Sequence, residues 1–66
     1  MELSRKKIDV CLARRKMTIG QLAEKCGISR NRLNVLLNSR NITPFSAGKV
    51  ASGLEVDVTE IIETEN

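Results

Sequence analysis

Sixty-six residues allow one small domain that hides only about 60% of the surface its unfolded chain exposes, which leaves no room for a large catalytic cleft. Hydrophobic residues at 41% and charged residues at 29% fit a folded domain and exclude disorder, and one Phe with no Trp or Tyr leaves almost nothing for stacking unpaired bases. The net charge of +3 is unevenly spread, with ten Lys or Arg against three acids in residues 1–40 and one Lys against five acids in residues 41–66, so one end suits a polyanion and the other does not.

In chain order, the first element is a helix expected over Leu3 to Lys16. Ile8, Cys11, Leu12 and Arg15 recur at the spacing of one helix face, with the stem of Arg15 covering the core edge. Arg14, Arg15 and Lys16 gather at its C-terminal end, where the helix dipole favours cations. Lys6 and Lys7 stand against the dipole at the other end, so attraction to phosphate accounts for them better than helix stability does.

Thr18 starts a second helix as its N-cap, and Gln21 three residues on completes a capping box. Leu22, Ala23 and Cys26 form a small inward stripe, while Gln21, Glu24 and Lys25 face outward. Gly20 costs this helix about 1 kcal/mol relative to alanine. Close approach of a neighbouring helix is the expected reason, and approach of a DNA backbone is the alternative. Gly27 ends the helix because glycine takes a left-handed conformation without strain, and Ser29 caps the next. In that third helix, about 29–38, Leu33, Leu36 and Leu37 mark the inward face. Asn31, Asn34, Val35 and Asn38 are thereby placed on the opposite side, with Arg30 beside them. An outward row of Arg and Asn is a poor choice for solubility alone, which Lys and Glu serve with better helix propensity.

The run from Asn38 to Thr43, NSRNIT, is polar and irregular and reads as a loop. Thr43 caps and Pro44 opens a fourth helix, in which Ala47, Val50, Ala51 and Leu54 keep helical spacing and Phe45 is expected to pack at the start. Gly48 and Gly53 weaken that helix, and Glu55 has to take an unfavourable backbone angle at its end. Asp57-Val58-Thr59-Glu60 has the form of a capping box and begins a short fifth helix carrying Ile61 and Ile62. The expected organisation is one compact, all-α, five-helix domain over residues 1–66, with a frayed tail at 63–66.

Cys11 and Cys26 are the only cysteines, and both read as small core residues on adjoining helices. A disulfide does not suit a chain read as having no secretory signal, and two thiols without histidine make a poor zinc site. No metal, cofactor or small-molecule ligand is expected. No apolar run approaches the ~20 residues of a membrane span, and the expected location is the cytoplasm.

On these residues the chain resembles the lambda-repressor-like (Cro, Xre) family of helix-turn-helix DNA-binding proteins. Thr18, Leu22-Ala23, Gly27, Ile28, Ser29 and Leu36-Leu37-Asn38 stand in the family's pattern of capped start, Leu-Ala pair, turn glycine, apolar residue, serine and a second helix running into a polar loop. Thr43-Pro44, Val50-Ala51, Leu54, Val56 and Glu60-Ile61 match its fourth and fifth helices. The chain departs from the pattern at Ile19, where a DNA-contacting glutamine is common, and at Leu37, where a glutamate is. It departs also at Ser39 and Glu55, where glycines are common, and at Leu12, where many members carry an arginine. The resemblance implies a prokaryotic or phage-type transcriptional regulator whose second and third helices form the helix-turn-helix.

A helix that exposes Arg and Asn fits the B-DNA major groove, about 12 Å wide, where each base pair shows its own donor and acceptor pattern. Arg30 can fork onto guanine O6 and N7, Asn31 or Asn34 can pair with adenine N7 and N6, and Val35 can touch a thymine methyl. For each, the plain alternative is an ordinary exposed residue. Arg32 falls to the side of the row and suits a phosphate. Thr18 at a helix N-terminus and Asn38, Ser39, Arg40 and Asn41 in the following loop are placed for the sugar-phosphate backbone, the role the resemblance also gives these regions. One such module buries little DNA, so tight binding calls for two copies about 34 Å apart on a pseudo-palindrome. The expected partners are therefore double-stranded DNA and a second copy of the chain. Val10, Val58, Ile61 and Ile62 are the candidates for the dimer surface, unless they only complete the core.

As an enzyme the chain fails on inventory: no histidine, no glycine-rich phosphate loop and no acid pair for general acid-base work. The rival is a helical protein-interaction module, such as an antitoxin or an anti-repressor partner, that keeps the fold and binds a protein. The basic first half and the Arg30-Asn31-Asn34 row favour DNA. Ile19 and Leu37 lean toward protein contact.

Overall fold

Side-chain caps set where each helix begins. Ser4, Thr18, Ser29 and Thr43 lie in extended backbone, and each hydroxyl accepts the amide three residues on, from Lys7, Gln21, Arg32 and Ser46, at 3.2, 3.1, 3.0 and 3.1 Å. Each cap satisfies an amide that a helix start otherwise leaves unpaired. The helices that follow are α1 (Arg5–Arg15), α2 (Ile19–Cys26), α3 (Arg30–Asn38) and α4 (Pro44–Leu54). The structure, a computed structural model, describes residues 1–63. Its class is all-α, as expected.

The expected fifth α-helix is a single 3-10 turn, Val58–Glu60. The capping box at its start does form, with Asp57 accepting from Thr59 at 2.9 Å and Glu60 accepting from the Asp57 amide at 3.4 Å. It propagates no further because Ile61 turns into the core, fully buried, and Ile62 pairs antiparallel with Leu3.

That pairing also shortens α1 from the expected Leu3–Lys16. The Ser4 amide donates to the Ile61 carbonyl at 2.7 Å and the Glu63 amide to the Glu2 carbonyl at 2.9 Å, so residues before the cap are extended. Glu63 is thus held rather than frayed, and the rest of the expected tail, residues 64–66, lies outside the described residues. On its other side this segment accepts the Ile42 amide on the Met1 carbonyl at 2.9 Å. Residues 1–4 therefore join the loop after α3 to the last described residues. Lys7 is drawn in as well: its Nζ donates to the Ile62 carbonyl at 3.1 Å, a structural partner in place of the phosphate expected for it.

The core is aliphatic, and every α-helix gives it a side chain. Ile8 of α1, Leu22 of α2, Leu33 of α3, Val50 and Leu54 of α4, and Ile61 are the large side chains that are fully buried. Each such burial stabilises the fold by ~1.5–3 kcal/mol. The Cα radius of gyration, 10.6 Å, equals the roughly 11 Å of a single packed domain of this length.

Helices α2 and α4 approach closely at Gly53. A Cβ on Gly53 would lie 2.7 Å from Cys26 Sγ and 3.0 Å from Leu22 Cδ1, so Gly53, expected only to weaken its helix, is what lets the two backbones meet. At Gly20 the expectation of helix packing is wrong. A Cβ there would meet only Thr18 Oγ1, at 3.8 Å, and no atom of a neighbouring helix within 4 Å. Cys11 and Cys26 are buried and free; Cys26 Sγ donates weakly to the Lys49 carbonyl at 3.6 Å. Burial pushes the Cys26 thiol up, with nearby Lys49 partly opposing the shift. The thiol form therefore persists at neutral pH and the residue acts as a small apolar group.

Glu55 has φ 57, the left-handed angle expected of it, and Lys16 takes φ 54 at the end of α1. Phe45, expected to pack at the start of α4, instead stands in solvent at 78% exposure. The helix turns it away from the face that carries Ala47, Val50, Ala51 and Leu54.

Candidate nucleic-acid interface

The turn between α2 and α3 is built as the sequence suggested. The Thr18 amide donates to Gln21 Oε1 at 2.9 Å while Thr18 Oγ1 accepts the Gln21 amide, closing the capping box. Gly27 ends α2 at φ 74 in the left-handed region, its amide donating to the Glu24 carbonyl at 3.1 Å. The amide of Ile28 bonds the Ala23 carbonyl at 3.1 Å, and Ile28 packs against the core. With Leu22, Ala23 and Cys26 buried on α4, and Leu33, Leu36 and Leu37 buried on the other side of the turn, α3 is held by one face only.

The free face of α3 carries the expected row. Arg30, Asn31, Arg32 and Asn38 are exposed, Val35 is exposed to 55%, and Asn34 is half-buried at the edge of the row. None of these side chains enters the core. The loop beyond is short and anchored: Ser39 has ordinary extended backbone, φ −82 and ψ 140, so the glycine common there is unnecessary. Its Oγ accepts the Asn41 amide at 3.2 Å, and buried Ile42 is tied by its amide to Met1. Arg40 and Asn41 project from it. Thr18, at the N-terminus of α2, is exposed beside Gly20, where the space above the backbone is open.

The charges sort themselves by element. All three arginines of α1 face carboxylates: Arg5 meets Asp9 at 3.3 Å, Arg14 meets Glu60 at 3.9 Å and Arg15 meets Glu55 at 3.4 Å. Lys25 also reaches Glu55, at 3.7 Å. Two acids of the C-terminal third, Glu55 and Glu60, thus pair with cations at the end where α1 and α2 finish. Arg30, Arg32 and Arg40 have no carboxylate partner among the described residues, and no Asp or Glu occurs anywhere from Lys25 to Leu54. Net sequence charge hinted at a basic half. Only the ion pairs show which part of it keeps an uncompensated field.

Two positions that leaned toward protein contact are structural. Leu37 is buried and offers no surface to a partner, and Ile19 is half-buried against the core, which takes up much of its side chain. Of the candidates for a dimer surface, Ile61 is excluded by its complete burial. Val58 and Ile62 are half-buried against the core, and Val10 is exposed to 53%. Phe45 and the opening at Gly20 were missed or misassigned in the sequence. Their helical positions were legible there, but nothing in the pattern tells an uncovered site from a covered one.

A recognition-type helix braced by a capped partner helix across a glycine turn, with an acid-free outer face, defines a helix-turn-helix DNA-binding domain. The family model for helix-turn-helix proteins of the Cro/C1 type matches residues 11–61, and the chain belongs to this lambda-repressor-like, Xre family. Neither a curated protein nor a solved structure matches the chain. The family is one of DNA-binding regulators and not a catalytic one. Among the described residues no helix is long and apolar enough to cross a membrane.

Proposed function

We propose that this chain is a sequence-specific, repressor-like regulator of transcription that acts in the cytoplasm and reads duplex DNA with α3. The observation that carries this is the contrast between the arginines: those of α1 are matched by carboxylates, and those of α3 and its loop have none among the described residues and are open to an outside anion. Arg30, Asn31, Asn34 and Val35 are assigned to base edges in the major groove. Thr18, Arg32, Asn38, Ser39, Arg40 and Asn41 are assigned to the sugar-phosphate backbone, where they add affinity without reading sequence. Thr18 keeps its hydroxyl proton for a phosphate oxygen, since its lone pair already serves the cap. The small area of one module supports binding as a homodimer on a pseudo-palindrome.

Selection of bound duplexes from a random pool, followed by titration at two salt concentrations, tests the reading. Affinity is expected to fall steeply as salt rises, because phosphate contacts release counterions. Arg30→Ala is expected to relax preference at one base pair, worth ~1–3 kcal/mol of discrimination, while Arg40→Ala weakens cognate and random duplexes alike. Equal losses on both duplexes from both variants would refute the division of roles. A protein that binds no duplex and purifies with a protein partner would instead be an interaction module.

A further inference from the structure

Phe45 is the only aromatic residue in the chain, and at 78% it is the most exposed large apolar side chain among the described residues. It does no work for the fold. Thr43 caps α4, Pro44 opens it, and the inward face is complete without the ring. A polar residue at this position would serve the helix as well, so the fold does not account for the phenyl group, and what it meets is decided by the chemistry around it.

The position and charges of its surroundings say what that surface is. Phe45, Lys49 and Ser52 share the outer face of α4 at i, i+4 and i+7, opposite the buried set, and above Gly48 a Cβ would meet nothing within 4 Å. The face is open and holds one charge, Lys49. Arg40 stands in the loop just before the helix, and no acid lies between Lys25 and Leu54. A second copy laid on this face about a two-fold axis would set Lys49 against its own image, which like-charge repulsion disfavours. A polyanion meets no such penalty.

We infer that Phe45 lies against deoxyribose rings of the strand whose phosphates the loop at 38–41 engages. The sugar is the apolar part of the DNA backbone, and a ring with Arg40 before it and Lys49 after it suits a sugar with phosphates on either side. This contact rests on the DNA reading above and deepens it: the footprint extends from α3 and its loop onto the first turn of α4. It adds affinity without choosing among sequences.

The chain has no Trp or Tyr, so Phe45→Trp gives a single reporter at the site. Its emission is expected to shift to the blue, and its quenching by acrylamide to fall, when duplex is added, with no change when protein concentration alone is raised. Phe45→Ser is expected to keep the wild-type melting temperature and to bind cognate and random duplexes about tenfold more weakly, the effect of exposing one partly covered ring. Hydroxyl-radical cleavage, which attacks deoxyribose, is expected to lose protected positions in Phe45→Ser complexes that Arg30→Ala complexes keep. A Phe45→Ser protein that binds and protects like wild type overturns the inference, as does a Trp signal that follows protein concentration and ignores DNA. If Arg40→Ala weakens binding and Phe45→Ser does not, this contact alone falls. If the wild-type chain binds no duplex, the DNA reading falls with it.

Discussion

Gly20 and Gly53 both lie within helices and answer oppositely to the same methyl group. At Gly53 a Cβ would press on Cys26 Sγ at 2.7 Å and Leu22 Cδ1 at 3.0 Å, so Gly53→Ala is expected to destabilise the fold by about 1–3 kcal/mol through overpacking. Adding Cys26→Ala removes the nearer of the two obstacles, and urea unfolding of the double variant should recover part of the loss. At Gly20 the methyl finds open space, and Gly20→Ala is expected to stabilise by about 0.4–1 kcal/mol by narrowing the unfolded ensemble. If a phosphate approaches that opening, the same variant binds DNA more weakly although it is more stable. Sequence reasoning saw a cost at both glycines and placed the close approach at the wrong one. The helical pattern gives the face a residue occupies but not the distance to what stands opposite. Phe45 failed for the same reason: an aromatic at a helix start fits a packed or a bare position equally.

At the scale of elements, most of the helix-turn-helix was legible, because its signals are local chemistry. Thr18 with Gln21, Gly27, Ser29 and the three leucines act within one or two turns, and each behaves in the structure as its type requires. The last element was half legible. Asp57 and Glu60 make their capping box, yet the helix stops after Val58–Glu60 because the chain is claimed by Leu3, more than fifty residues earlier in sequence. The cap has a consequence in pH. The amide and then the hydroxyl of Thr59 donate to the Asp57 carboxylate, at 2.9 and 2.7 Å, and hold it below its ordinary value of 3.8. A carboxyl whose pKa is depressed on folding stabilises the native state above its unfolded pKa and loses that effect as pH falls through the native one. The melting-temperature difference between wild type and Asp57→Ala is therefore expected to hold steady above pH 3.8 and to shrink below it. Thermal denaturation at stepped pH measures it, and a difference that grows on acidification would contradict the assignment.

For the whole molecule, Glu55 and Glu60 offset Arg14, Arg15 and Lys25, whereas Arg30, Arg32 and Arg40 meet no carboxylate among the described residues and no acid lies between Lys25 and Leu54. Exposed pairs of this kind contribute little stability. Their larger effect is to concentrate positive potential on one side. The basic front half was visible in the sequence, but ion pairs between residues 40 or more positions apart were not.

The extended segment at residues 1–4 ties Ile42, beside Arg40 and Asn41, to Ile61 and Glu63. Deleting those four residues frees the Ile42 amide and strips the pairing from the C-terminal segment. Hydrogen exchange at Ile42 and Ile61 is expected to accelerate together, and a lone change at either would break the link. Tension applied near Glu63 thus arrives at the fingers of the loop through four residues of extended chain.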